Sequence, residues 1–277
     1  MRKYIFCTLL TAFLAAPFTA GATNLNFGIS AFTSKNSEIQ LNYNNAESFT
    51  AYKNEFTVDL PCNTLEINWA EGKVKIDTDS KVEKITISEK ANKPVPEELC
   101  MHYKVADNTI SLCYAKQGKH NLNGLSKELL IKLPKNTQFK EVYVTSSSAE
   151  VDADIPTAKT IKLFNMSGDT ELETNSVEKL EATATSGEID IEAKNAENIE
   201  ITEVSGNTEL EISQAPKNIN ARSSSGNIKI ELPLGTTVNS KINSMSGKII
   251  NDFPQKDAGE CKVTINSMSG VIKLQTR

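Results

Sequence analysis

Ser186-Gly187-Glu188-Ile189-Asp190-Ile191-Glu192 is followed, nineteen residues on, by Ser205-Gly206-Asn207-Thr208-Glu209-Leu210-Glu211. In both stretches a Ser-Gly pair opens a run of alternating inward and outward side chains. That is the period-two signature of a strand with one buried face. The pair recurs at Ser167-Gly168, Ser225-Gly226, Ser246-Gly247 and Ser269-Gly270, and a degenerate copy, Ser148-Ala149, precedes them all. Successive spacings are 19, 19, 19, 20, 21 and 23 residues. A fixed period of this length marks a repeat architecture.

Aligned on the pair, the copies form columns. Six residues before each Ser stand Val142, Ile161, Leu180, Ile199, Ile219, Ser240 and Val263. Four after each Gly (or Ala149) stand Ala153, Leu172, Ile191, Leu210, Ile230, Asn251 and Leu274. Each copy therefore reads as strand, Ser-Gly bend, strand, return loop. One copy cannot bury its apolar face alone, whereas stacked copies share a continuous core. With strands about 4.8 Å apart, seven copies make a rod on the order of 30 Å long. The expected fold is an all-β solenoid of stacked strand-bend-strand repeats of 19 to 23 residues, regular over 142–277. Stacking in chain order would leave the last strand, Val271–Leu274, at an open end blunted by Lys273 and Arg277.

Upstream the strands are less regular. Leu65-Glu66-Ile67-Asn68-Trp69 and Val74-Lys75-Ile76 flank Gly72, and Leu129-Leu130-Ile131-Lys132-Leu133-Pro134 closes the irregular part. Residues 88–125 read as a cysteine-bearing insertion, with Asp107-Asn108 turning between strands that carry Cys100 and Cys113. Residues 23–55 are Asn-rich and polar, a leader or N-terminal cap. Residues 1–22 have the form of a secretory signal: Arg2 and Lys3, an apolar run from Ile5 to Ala16, then Ala20-Gly21-Ala22. That run is too short to span a membrane, and the C-terminus carries no apolar tail.

The Leu65–Trp69 opening with its Gly72 turn, the Leu129–Pro134 strand and the serial Ser-Gly strands resemble the bacterial putative-adhesin β-strand-repeat domain, a family of unknown function. The resemblance spans roughly residues 56–277. It implies the solenoid fold and an adhesin-like place in the cell envelope, and it implies no activity.

Charge narrows the function classes. The formal charge of −5 becomes −7 once Arg2 and Lys3 leave with the signal, which excludes a nucleic-acid binder that must neutralise phosphates. Residues 165–215 hold 13 acids and two lysines, whereas residues 216–277 hold nine bases and four acids. After each Gly the outward positions carry Asp169, Glu171 and Glu173, then Glu188, Asp190 and Glu192, then Glu209 and Glu211. Like charges on neighbouring strands repel, so this face is either a solvated surface, a partner-binding face or a Ca²⁺ ladder. A Ca²⁺ site needs six to eight converging oxygens, which parallel side chains do not offer, and no metal or cofactor is expected.

The Ser column invites a nucleophile reading, but no histidine follows His120 to serve as base. Equivalent serines fit a structural ladder better, and no catalytic residue is expected. Cys100, His102, Cys113 and His120 carry zinc-ligand chemistry without a familiar spacing. An oxidising compartment favours a Cys100–Cys113 disulfide instead. Only Phe164 and Phe253 among the aromatics lie beyond residue 160, so the repeat has no evident sugar platform. The expected role is an exported, non-catalytic structural or interaction module meeting an unknown envelope or surface partner. A self-assembling rod is the alternative, and a polysaccharide-active solenoid enzyme a weaker one.

Overall fold

A computed structural model of the chain describes residues 29–33, 38–43, 49–51, 55–254 and 259–277. The expected signal, 1–22, lies outside the described residues, as does much of 23–55. Strands β1 (Ile29–Thr33), β2 (Glu38–Leu41), β3 (Thr50–Ala51) and β4 (Phe56–Val58) lead to β5 (Thr64–Asp79). Then come β6 (Ile85–Ala91), a 3-10 turn (Glu97–Leu99), β7 (His102–Ala106), β8 (Thr109–Cys113), β9 (Gly118–Asn121) and β10 (Lys127–Pro134). The repeats occupy β11 (Gln138–Ser167), β12 (Thr170–Gln214), β13 (Asn218–Ser225) and β14 (Ile228–Leu232). They finish with β15 (Val238–Ser246), β16 (Ile249–Asn251), β17 (Cys261–Ser269) and β18 (Ile272–Thr276).

The protein is a β-solenoid. Its coils join through parallel ladders that keep the sequence columns in register: Val142 lies opposite Leu65, Ile161 opposite Leu180, and Ile199 opposite Ile219. Along the middle of the rod the inward columns are fully buried; Leu172, Ile191 and Leu210 are all 0% exposed. β11 and β12 are long because the backbone stays extended through the bends, so each strand runs through more than one coil.

The bends need glycine for two reasons. Gly187, Gly206 and Gly226 all have φ between +119° and +154°, where a Cβ strains the backbone. A Cβ there would also collide with the carbonyl of the glycine one coil back: Gly168 O, Gly187 O and Gly206 O respectively. Ala149, between Gly72 and Gly168 in this column, has no positive φ, which explains why the degenerate copy tolerates a methyl group.

Stacking departs from chain order at both ends. A Cβ on Gly270 would meet Gly226 O, and one on Gly247 would meet Gly270 O. The coil of β17 and β18 therefore sits between β13/β14 and β15/β16, and β18 pairs with both β14 and β16. Val271–Leu274 is not the open end, and Lys273 lies within the ladder opposite Lys229 and Ile250. The physical reason is in the columns. Val263 and Leu274 are 0% exposed, whereas the outermost coil holds Ser240 and Asn251 at the same two positions. The coil with the complete apolar set takes the inner place.

At the other end, β8 and β10 form the coil that precedes β5, with Ile110 opposite Leu65 and Leu129 opposite Val74. Part of the expected insertion is thus solenoid wall. β7 and β6 then add antiparallel to β8 and β10, and β3 and β4 add outside them. Lys127 ties this end together. Its side chain is buried, ion-paired to Glu89, and donates to Leu99 O at 2.8 Å and to Tyr114 O. Its ammonium also lies 4.0 Å from the Tyr114 ring centroid and 5.0 Å from that of Trp69, within cation–π range.

The expected Cys100–Cys113 disulfide is not formed, and Cys62, Cys100, Cys113 and Cys261 are all free. Cys113 lies opposite His102 in the β7–β8 hairpin. Cys100 is therefore two residues before the matching position, ahead of the start of β7, and its Sγ lies 3.5 Å from Pro96 O. Cys113 is buried, and desolvation pushes its thiol far above the usual range.

Candidate functional site: the acidic face

The second strand of each coil points alternate side chains outward, and these form three columns along one face of the rod. All eight acidic residues singled out from the sequence lie there. Asp169, Glu171, Glu173, Glu188 and Glu192 are exposed, and Asp190, Glu209 and Glu211 are half-buried. The strand phase places Ile189 and Ile191 inward, which forces Glu188, Asp190 and Glu192 outward.

Cations bracket the face at both ends. Toward the N-terminus, Asp152 lies opposite Lys75 and receives Lys75 Nζ at 3.1 Å and Lys73 Nζ at 3.3 Å, while Lys73 reaches Glu150 at 2.7 Å. Toward the C-terminus, Lys229 pairs with Glu209 and with Glu231 at 3.1 Å, and Arg277 reaches Glu211 at 2.9 Å. Between these brackets no cation among the described residues lies within ion-pair distance of Asp154, Asp169, Glu171, Glu173, Glu188, Asp190 or Glu192.

The protonation equilibria follow this layout. Burial pushes the Asp152 carboxyl up, but Lys75 and Lys73 outweigh it and hold the group below its ordinary value. Asp190 is raised, first by partial burial and then by Glu209, Glu171, Glu192 and Glu188. Glu173 is raised by partial burial and then by Asp154, Glu192 and Glu171. The middle of the face is a line of mutually repelling carboxylates.

Among the described residues, metal chemistry has one place to consider. Glu209, Glu211 and Glu231 bring carboxylate oxygens within 4.8 Å of one another. Lys229 and Arg277 already sit on these three groups, so protein cations occupy the position an ion would take. The sequence reading missed Lys75 because it belongs to an irregular copy, and extending the column to Gly72 would have found it; Lys229 stands in a regular copy, opposite Glu209, and was open to inference.

The Ser column behaves as a ladder. Ser148 Oγ donates to Ala70 O, Ser186 Oγ to Met166 O and Ser269 Oγ to Ser224 O, each at 3.4 Å and each to a neighbouring coil. His102 and His120 lie on β7 and β9, in the cap beyond the regular coils.

The sequence pattern of the Toastrack DUF4097 family matches residues 62–277. The chain belongs to the Toastrack family. No curated protein matches it. This Toastrack chain is similar to a solved putative adhesin from Bacteroides fragilis, at 13% identity and a TM-score of 0.43, covering 81% of this chain and 99% of that one. A putative adhesin from Parabacteroides distasonis matches at 12% identity and a TM-score of 0.41, covering 79% and 96%. A putative cell adhesion protein from Clostridium sporogenes matches at 14% identity and a TM-score of 0.32, covering 80% and 99%.

Proposed function

We propose that this Toastrack protein is an exported, non-catalytic interaction module of the cell envelope, and that its acidic face docks a positively charged partner. The observation that carries this reading is the unneutralised middle of the face. Like charges placed opposite one another destabilise a sheet by a few tenths of a kcal/mol to about 1 kcal/mol per pair. Paired lysines stop at the edges of the run, and a cationic surface would relieve the remainder. Export rests on the signal-like 1–22 segment, and among the described residues no helix is long and apolar enough to cross a membrane. The adhesin-like role is also what the names of similar solved proteins suggest.

The test is capture of partners from the envelope by the mature protein at low and at about 0.5 M salt, where screening acts within a few ångströms. A triple variant, Glu171→Gln, Asp190→Asn and Glu192→Gln, serves as control. Salt-sensitive capture lost in the variant supports the reading. Capture unchanged by salt and by the variant would refute it.

A second reading, end-to-end self-association, is favoured by the C-terminal end. Among the described residues strand β15 has no neighbour on its outer side, and Met245 (82% exposed) and Ile249 (44%) on the outermost coil and Met268 (45%) on the next leave apolar surface open at this end. Sedimentation that stays monomeric at high protein concentration would exclude it.

A further inference from the structure

Behind the Ser-Gly bends runs a column of inward side chains that are polar in every coil but one. Two residues before each Ser stand Ser146, Asn165, Ala184, Glu203, Ser223, Ser267 and Ser244, and they lie in register along the ladder. Asn165 and Glu203 are its long members, each 2% exposed. Both come with a threonine five residues on, Thr170 and Thr208, where the intervening coil has Ala184 followed by Ile189. The two rungs are therefore built alike.

In the first rung, the Asn165 amide nitrogen donates to Ala149 O at 2.9 Å and to Gly168 O at 3.1 Å, beside Thr170 Oγ1 at 3.2 Å. In the second, Glu203 Oε2 accepts from Thr208 Oγ1 at 2.8 Å. Its other oxygen, Oε1, is buried and receives no hydrogen bond. That oxygen lies where the amide nitrogen would be: a Cβ on Gly206 would collide with both Glu203 Oε1 and Gly187 O. Gly187 O is the counterpart of Ala149 O in the first rung. A carboxylate here would set two acceptors against each other without a donor, an arrangement that is costly away from water. A carboxylic acid resolves it, because its O–H supplies the donor that the amide N–H supplies in the Asn165 rung.

We propose that Glu203 is a neutral carboxylic acid in the folded protein, hydrogen-bonded to the Gly187 carbonyl, and that this rung is a buried proton-binding site coupling the stability of the stack to pH. Burial pushes its carboxyl up to about 7, with the charge of Glu188 adding to the rise and the Thr208 hydrogen bond opposing it. Glu188, outward on the preceding coil, is the ionisable group whose charge reaches it. Ala184 and Ser223, its neighbours in the column, and the glycines of the two bends carry no charge.

The sign of the linkage follows. The folded-state value lies above the unfolded one, about 4.3 for a free glutamate. The contribution of Glu203 is therefore complete below about pH 4 and declines as pH rises toward 7. Above that it is flat. Within the window the unfolding equilibrium constant should grow by about tenfold per pH unit through this group alone.

The experiment compares denaturant unfolding of the wild type and Glu203→Gln from pH 4.5 to 8.5. The glutamine keeps a donor toward Gly187 O and has no proton to lose. The expected result is similar stability near pH 4.5 and a growing advantage for Glu203→Gln up to about pH 7, constant beyond. Parallel curves overturn the proposal. If the variant does not fold, carbon-13 NMR of the labelled Glu203 carboxyl in the wild type decides the matter. A carboxyl protonated at pH 6 supports the site, and one ionised at pH 6 overturns it.

Discussion

The two ends of this rod are closed by opposite means. At the N-terminal end the apolar columns run undiminished into the last parallel coil, where Ile110, Leu112, Leu129 and Ile131 are all 0–1% exposed. Antiparallel strands then cover them, and the buried Glu89–Lys127 pair fastens the cover. At the C-terminal end the outermost coil itself becomes polar. Ser240 and Asn251 replace apolar residues, Ile242 is only half-buried, and Val238 and Phe253 are the coil's buried apolar residues. A solenoid can stop because something roofs its core or because its core runs out. This chain uses both solutions, and only the first depends on tightly fixed polar contacts.

The comparison breaks most visibly at Lys127. Lys127→Ala would leave Glu89 buried without its partner and deprive Leu99 O and Tyr114 O of their donor. A loss of about 3–5 kcal/mol is expected in urea unfolding. Replacing both members, as in Lys127→Met with Glu89→Gln, should cost clearly less, because no uncompensated charge remains.

Two glycines sharpen the contrast between a confined coil and a free one. Gly270 and Gly247 both have positive φ, and a Cβ on either would overlap a neighbouring carbonyl. The Gly270 coil is held on both sides, so Gly270→Ala should cost about 3 kcal/mol, combining backbone strain and overpacking. The outer coil can shift, so Gly247→Ala should cost about half as much. Hydrogen exchange would then show opening limited to 238–251.

The smallest effect is expected at the polar end positions. Ser240→Val with Asn251→Leu should change stability by less than about 1 kcal/mol. It should promote association, since the end then presents a fuller apolar surface beside an open edge. Sedimentation against protein concentration checks this. A strictly monomeric double variant would show that the polar residues are not what ends the stack.

How much of this was legible in the sequence depends on which periodicity is used. Strand phase and the acidic face followed from alternation around each Ser-Gly pair. Coil order did not, because Ile242–Gly247 and Ile265–Gly270 are the same six residues, Ile-Asn-Ser-Met-Ser-Gly. Nothing in that hexapeptide separates them; in the aligned apolar columns Ser240 against Val263 and Asn251 against Leu274 do, and both differences were visible. Glu203 was also open to inference, since Ile199 and Ile201 fix the parity that turns it inward. The cysteines were harder. The Asp107-Asn108 turn was plain, and both residues do take positive φ, but the two-residue offset that sets His102 opposite Cys113 depends on the exact register across that turn.

The inserted last coil also says something about the order of assembly. During synthesis 238–251 emerges before 261–276, while the flank of β13 and β14 is still vacant. The earlier segment carries the same Ile-Asn-Ser-Met-Ser-Gly sequence as the later one, so it can occupy that flank in the same register. If it docks there first, the final arrangement requires it to yield its place to a segment with two more buried apolar side chains, Val263 and Leu274. Completion of the rod would then be a displacement rather than a simple winding, triggered by the arrival of 261–276. A chain cut short before Cys261 would keep the provisional order, with the Gly247 coil docked directly on the Gly226 coil.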